Sequence, residues 1–354
     1  MPNANAEKGF GDGAKGRVEK LVPQKEDIPV SRASEELDRG RAAEKPTELP
    51  KKGWLDVVWR TKQQLDEDNL SVVAAGIAFY AFLAVVPALA VVIALYALIA
   101  DAGELSRHIE MLARVVPGEV MPLLKEQMTR IAQNNTAAGI SAIVGLLLAM
   151  YSSANATKAL IAGLNIAYDE SEKRSFVKLN LAAFALTFAG LIGIIVAVGL
   201  VGVLPAVTRF FFAEQMTKVV VDWLRWPLLM GLFIVGNATI YRFGPSRSSA
   251  QWKWVSPGAI LAAILWIVGS GLFSLYVSKF GSYDKTYGSL GAVVVFLMWI
   301  YLTAYVVLLG AELNSEMERQ TMKDTTSGEP EPLGARGAYA ADTVGSARKG
   351  KKRD

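Results

Sequence analysis

One feature constrains this chain more than any other. Residues 71–100, SVVAAGIAFYAFLAVVPALAVVIALYALIA, run 30 residues without a charge. As a helix such a run would rise ~45 Å, against ~30 Å for the hydrocarbon core of a bilayer. Five further apolar runs follow, at about 137–157, 179–204, 222–243, 257–277 and 287–313. Overall 52% of residues are hydrophobic and 20% charged, with a mean hydropathy of +0.30. The pattern predicts an all-α polytopic membrane protein with six transmembrane helices, a short interfacial N-terminal helix and disordered polar tails. It excludes a soluble globule and a fibrous chain. With no Cys there is no disulfide, thiolate nucleophile or Cys-bound metal, and a single His, His108, cannot form a His-cluster metal site. No cofactor is implied.

Three regions follow from composition. Residues 1–50 mix charges with Gly, Pro and Ala and lack hydrophobic periodicity, so they read as a disordered cytoplasmic tail. Residues 51–320 form the six-helix domain with its juxtamembrane helix, and 321–354 read as a disordered basic tail ending in Lys351, Lys352 and Arg353. Within Lys51–Asp68, Trp54, Leu55, Val58, Trp59 and Leu65 share one helical face, as expected of a helix lying at headgroup level. No apolar signal segment follows Met1. The even number of spans puts both termini on one side. Loop 242–256 carries Arg242, Arg247 and Lys253 without an acid, and loop 158–178 carries Lys158, Lys173, Arg174 and Lys178, so that side is expected to be the cytoplasm.

Some positions break the apolar pattern. Pro87 lies inside the first span and deprives the Leu83 carbonyl of its helical donor, giving either a hinge at a transport site or an ordinary kink. The second span ends in a polar stretch with Asn155, Lys158 and Asn165, which must face protein or water. Lys158 either snorkels to the interface or joins Asn155 in an anion-attracting vestibule. Small residues recur every four positions as Ser141, Gly145, Ala149, Ser153 and Thr157 in the second span, and as Ala185, Ala189, Gly193 and Ala197 in the third. Each stripe suits a helix–helix seam within the chain. The fifth and sixth spans share S-x-G-A-x6-W-I, from Ser256 to Ile267 and from Ser289 to Ile300. The turn Ser282–Gly288 leads into the sixth span, where Gly288 and Gly291 either pack closely against a neighbour or simply give the helix entry its flexibility. Glu312 closes that span at a helix C-terminus, an unfavourable end for an anion, so either a positive partner among Lys158, Arg174 and Arg242 or a proton-coupled role is expected.

These residues carry a resemblance. Tyr287-Gly288-Ser289-Leu290-Gly291-Ala292, then Leu297-x-Trp299-x-Tyr301, then Leu308-Leu309-Gly310-Ala311-Glu312-Leu313-Asn314 resemble the signature of the YihY/BrkB inner-membrane family, also grouped as UPF0761. Similarity extends through Pro257-Gly258-Ala259 and Trp266, Ala159–Tyr168 and the proline-bearing first span. There Phe79-Tyr80 departs slightly from an expected Tyr-Tyr, and Tyr80 joins the candidate positions. The resemblance covers roughly residues 54–320. It implies a bacterial cytoplasmic-membrane protein with six spans. Inherited labels in that family name ribonuclease BN and a virulence or serum-resistance factor.

The residues themselves argue against a nuclease. Metal-assisted cleavage needs clustered His and carboxylate ligands, and a metal-free route needs an acid–base pair at the phosphate. The acids here are scattered and no Gly-rich phosphate loop is present. Two function classes are left: a transporter, exporter or flippase-like protein for a lipid or amphipathic small molecule, or a membrane scaffold that moves nothing. The partners implied are membrane lipids and the transported molecule, without nucleic acid.

Overall fold

The computed structural model describes residues 36–97, 137–211, 214–279 and 289–348. Eight α-helices lie within these residues: α1 Lys51–Glu67, α2 Leu70–Ala97, α3 Ala137–Ala167, α4 Phe176–Phe211, α5 Glu214–Phe243, α6 Trp252–Lys279, α7 Ser289–Glu318 and the short α8 Tyr339–Asp342. Each of the six apolar runs is helical where described, because an apolar environment leaves the backbone no hydrogen-bond partner but itself. By length and composition three helical stretches can cross a membrane, Phe176–Ala197, Trp252–Val277 and Val293–Glu318. A fourth counts if α1 and the first half of α2 are one span bent by 64°. The bend falls at Asp68-Asn69, where Asn69 takes φ 48°, a left-handed conformation that Asn tolerates better than most residues.

The helices alternate in direction. The main core gathers Leu70 and Ala74 from the start of α2, Leu164 and Ala167 from the end of α3, and Tyr241 from the end of α5. It adds Val255 and Ala259 from the start of α6, with Leu308 and Ala311 from the end of α7. One end of the bundle is therefore tightly packed. Along α4 and α6 the opposite holds: Phe188, Ile192, Ile195, Ile264, Val268 and Leu272 are exposed. Apolar surface on this scale suits lipid rather than water.

Three sequence expectations are corrected. The second helix does not stop near Thr157 but continues to Ala167, so Lys158 and Asn165 are helical rather than loop residues. Its end is a left-handed turn, with Asp169 at φ 54° and the Glu170 N–H donating to the Asn165 carbonyl at 2.7 Å. The tails are not disordered where described. Arg41 is fully buried and donates to the carbonyls of Gln320 and Gly345 at 3.2 and 3.0 Å, tying residues 36–50 to the C-terminal segment. Within 321–348, Arg336 alone donates to the carbonyls of Glu331, Lys323, Ala341 and Met322. Composition missed this because the segment is held by hydrogen bonds rather than an apolar core of its own.

The stripe on α4 is not an internal seam: Ala185 and Ala189 are exposed, and a Cβ at Gly193 would meet nothing. The α3 stripe does pack, with Thr157 and Thr187 hydroxyls 2.7 Å apart across the α3–α4 contact. On α1 the buried side combines Val57 with Asp56, Arg60, Thr61 and Gln64, while Leu55 and Val58 point outward. Two of its charges, Asp56 and Arg60, enter the packing, and Lys51, Lys52, Lys62, Asp66 and Glu67 stay exposed.

Candidate functional site

The packed end of the bundle is built around Asn314. Its Oδ1 accepts the Gly258 N–H at 2.8 Å and its Nδ2 donates to the Val255 carbonyl at 3.0 Å. Those groups flank Pro257 in the second turn of α6, so one side chain of α7 bonds the backbone of its neighbour on both sides of that proline. The approach is close enough to need glycine on both sides. A Cβ on Gly258 would collide with the Gly310 carbonyl and the Asn314 amide, and one on Gly310 would lie 2.5 Å from the Tyr241 hydroxyl. That hydroxyl donates to the Val307 carbonyl at 2.8 Å.

A band of buried charge lies immediately beyond. Arg60 of α1 reaches Glu316 at 2.5 Å, and Arg319 reaches the same carboxylate at 2.9 Å. Arg247 grips Glu318 through both terminal nitrogens at 3.1 and 2.6 Å, and lies 5.0 Å over the Tyr168 ring. Burial, reinforced by the charge of Glu318, pushes the Tyr168 phenol well above its ordinary pKa. Glu312 is fully buried in the same region. Its expected cations are engaged elsewhere: Lys158 with Asn180 at 3.2 Å, Arg174 with Glu172 at 2.7 Å, and Arg242 with the Ala250 carbonyl. The charges that do populate this level, Arg60 and Arg247, come from α1 and the α5–α6 loop. Sequence reasoning missed Arg60, because it read α1 by its apolar face.

The C-terminal segment closes over this end. The Ser248 N–H donates to the Gly337 carbonyl at 3.0 Å and the Tyr339 N–H to Glu170 at 2.7 Å. Between segment and bundle runs a cleft of about 660 Å³, lined by Lys173, Arg174, Ser175, Lys178, Arg242, Ser246, Arg247, Ser248 and Ser249, with Phe243, Pro245 and Gly337. Five lining residues are cationic and none is acidic. Asn165 shapes one wall: its Oδ1 accepts the Ser246 N–H at 2.7 Å and its Nδ2 donates to Glu172 at 3.0 Å. The Arg174 guanidinium, together with Asn165, holds the Glu172 carboxyl down to about 2.

The other sequence candidates scatter. Tyr80 is exposed, edge-on to Phe79 at 5.6 Å. Pro87 lies within α2, its side chain outside what is described, and Tyr287 and Gly288 lie outside the described residues. Gly291 is buried near the start of α7, and Asn155 is half-buried on α3. Lys158 sits 5.3 Å over the Tyr151 ring. Trp299 donates to Ser270 Oγ at 3.4 Å while Trp266 donates to Thr303 Oγ1 at 3.1 Å. Each indole thus reaches the hydroxyl four residues beyond the other, and the repeated S-x-G-A-x6-W-I motif becomes a reciprocal clasp between antiparallel α6 and α7. Of the sequence candidates, Asn165, Glu312 and Asn314 fall within or beside the packed polar end. The acid-free basic loop was the signal that led to the cleft.

Comparison with known proteins places the chain among membrane proteins. The chain is 32% identical over 212 residues to the ribonuclease-like protein YfkH of Bacillus subtilis, covering 58% of this chain and 74% of that one. It is 28% identical over 265 residues to a UPF0761 membrane protein of Pseudoalteromonas translucida, covering 73% and 85%. It is 25% identical over 274 residues to another from Idiomarina loihiensis, covering 76% and 92%. No solved structure matches it. The sequence profile of the family described as Virulence factor BrkB matches residues 61–333, spanning the bundle and the first turns of the C-terminal segment, and the chain belongs to that family of membrane proteins.

Proposed function

We propose that this protein crosses the bacterial cytoplasmic membrane six times, with both termini in the cytoplasm, and moves a lipid or amphipathic small molecule without hydrolysing ATP. The observation that carries this reading is the position of the cleft. Its residues Lys173 to Ser175 immediately precede the apolar stretch that begins at Phe176, and Arg242 and Phe243 end α5 just before the stretch that begins at Trp252. An open, cation-lined cleft of this size, at the level where apolar spans begin, suits a molecule with one polar and one apolar end. The outward-facing apolar surface of Phe176, Val177 and Leu181 adjoins it. In this reading α1 lies in the headgroup layer with Leu55 and Val58 toward lipid.

A scaffold is the second reading, favoured by the exposed stretch 327–332 of an otherwise packed C-terminal segment. Reconstitution separates the two. The purified full chain in vesicles should speed movement of a fluorescent lipid between leaflets, and a rate equal to that of protein-free vesicles sinks the transporter. Reporter fusions at Arg348 should be active only as cytoplasmic reporters and fusions at 134–136 only as periplasmic ones; the reverse sinks the orientation. Hydrolysis has no place in the proposal. Among the described residues no group of three His, Asp or Glu could hold a metal ion, and the ribonuclease-like wording belongs to the relative's name. Metal-dependent RNA cleavage by the pure protein would overturn this.

A further inference from the structure

The lining of the cleft narrows what it can hold. Three of its cations are already paired, Lys173 with Glu170, Arg174 with Glu172 and Arg247 with Glu318. Lys178 and Arg242 have no carboxylate partner among the described residues. Arg242 is held by one terminal nitrogen on the Ala250 carbonyl and by the Trp252 ring 4.9 Å away, and its Nε is buried without a hydrogen-bond partner. Lys178 is exposed on the first turn of α4, where Ser175 accepts the Lys178 N–H on its hydroxyl and the Leu179 N–H on its carbonyl. Four serines complete the wall. The donors therefore outnumber the acceptors, come from several directions, and carry two charges that the protein leaves unbalanced.

We propose that this cleft binds a phosphate group, in which the lone positive charges of Lys178 and Arg242 and the serine hydroxyls together meet the tetrahedral set of phosphate oxygens. A phosphate offers several acceptor oxygens in three dimensions, where a carboxylate offers two in a plane, so a wall of donors converging from different elements fits the former better. The assignment rests on taking the cleft as the entry site of the transported molecule, and it names that molecule's polar end. The position where apolar stretches begin makes a phospholipid headgroup one source of the phosphate; a soluble phosphate is the other.

The test is a binding titration of the full chain in detergent with dihexanoyl phosphatidylglycerol, with inorganic phosphate and with oleate. Lys178→Glu is the decisive variant, because Lys178 is exposed and its side chain holds no other residue. Phosphatidylglycerol should bind the parent, and Lys178→Glu should weaken it about fivefold, the scale of one exchanged charge at a half-wet site. Lys253→Glu, exposed on the same side but outside the cleft, should stay within about twofold of the parent. Arg242→Gln should weaken binding further; should it fail to fold, the Lys178 variant still decides. Inorganic phosphate that competes with the lipid identifies phosphate alone as the ligand. Lipid binding that phosphate does not displace, but that still depends on Lys178, identifies the headgroup with its chains. Unchanged binding in Lys178→Glu, equal loss in Lys253→Glu, or oleate binding with the same dependence on Lys178 overturns the proposal. Binding without leaflet transport leaves the phosphate site standing and sinks transport; transport that ignores Lys178 does the reverse.

Discussion

The packed end of the bundle and the bare faces of α4 and α6 are made by the same helices on different terms. At the packed end, backbone meets backbone through Gly258 and Gly310, and Asn314, Tyr241 and the Arg–Glu pairs bind named atoms. Along the bare faces, large aliphatic and aromatic side chains are exposed among the described residues. The difference teaches where the structure is specified. A lipid-facing position asks only to be apolar, whereas a position among interlocked polar groups asks for one shape and one hydrogen-bonding pattern.

The comparison breaks most readily at Gly258. Leucine there would drive its side chain into the Gly310 backbone and the Asn314 amide, which cannot yield. A loss beyond about 4 kcal/mol is expected, seen as loss of the monodisperse peak on size exclusion in detergent. A Gly258→Leu protein that elutes and melts like the parent would remove close backbone packing from the account.

Next is the buried Arg60–Glu316 pair. Glu316→Gln strands Arg60 and Arg319 and should destabilise by about 3–5 kcal/mol, while the double variant Arg60→Met with Glu316→Met should recover part of that loss. Arg60 also serves the Ser346 carbonyl and Gln320, so recovery should be incomplete. Equal melting of the single variant and the parent would mean the pair is wet. Asn314→Leu removes an acceptor from the Gly258 N–H and a donor from the Val255 carbonyl. About 1–3 kcal/mol per stranded group is expected in thermal unfolding.

Glu172 gives a smaller, pH-dependent effect. Its carboxyl, ordinarily at 4.5, is held down to about 2 in the folded protein. A group depressed on folding stabilises above its unfolded value, and that stabilisation is lost as the pH falls toward the folded value. Melting temperature should therefore drop more steeply between pH 5 and pH 3 in the parent than in Glu172→Gln, with the two curves parallel above about pH 6. Parallel curves throughout would remove Arg174 and Asn165 as its partners. The smallest effect belongs to the bare face: Ile264→Leu or Val268→Leu should stay within about 0.5 kcal/mol. A large loss there would reveal a protein partner where lipid is expected.

Much of the helical architecture was legible in the sequence, because an apolar run of this length has few structures open to it. All six helices fall on the runs, and the Trp266 and Trp299 echo marked a pair that does meet. Boundaries were less legible. Lys158 and Asn165 sit in a helix that the polar residues seemed to end, since a polar face against protein is as stable as an apolar one against lipid. Close packing was expected at Gly288 and Gly291, whereas the backbone contact that the structure shows is Gly258 with Gly310. Glu312 lies buried at the polar end, and the cations paired with the neighbouring carboxylates Glu316 and Glu318, Arg60, Arg319 and Arg247, were not among those the sequence offered for it.

The sequence by itself determined that the chain is a bundle of apolar helices, which runs become helical, and that polar character gathers toward one end. Local composition decides these things: backbone groups without water must satisfy one another, whatever the fold. Only the tertiary structure decided that residues 36–50 and 321–348 are packed rather than loose, that Asn314 bonds the α6 backbone beside Pro257, and that Lys178 and Arg242 border one cleft. Those facts depend on contacts between residues far apart in the chain, such as Arg41 with Gly345. No window of sequence contains both partners of such a contact, and their energy exists only once the helices have set the distance between them.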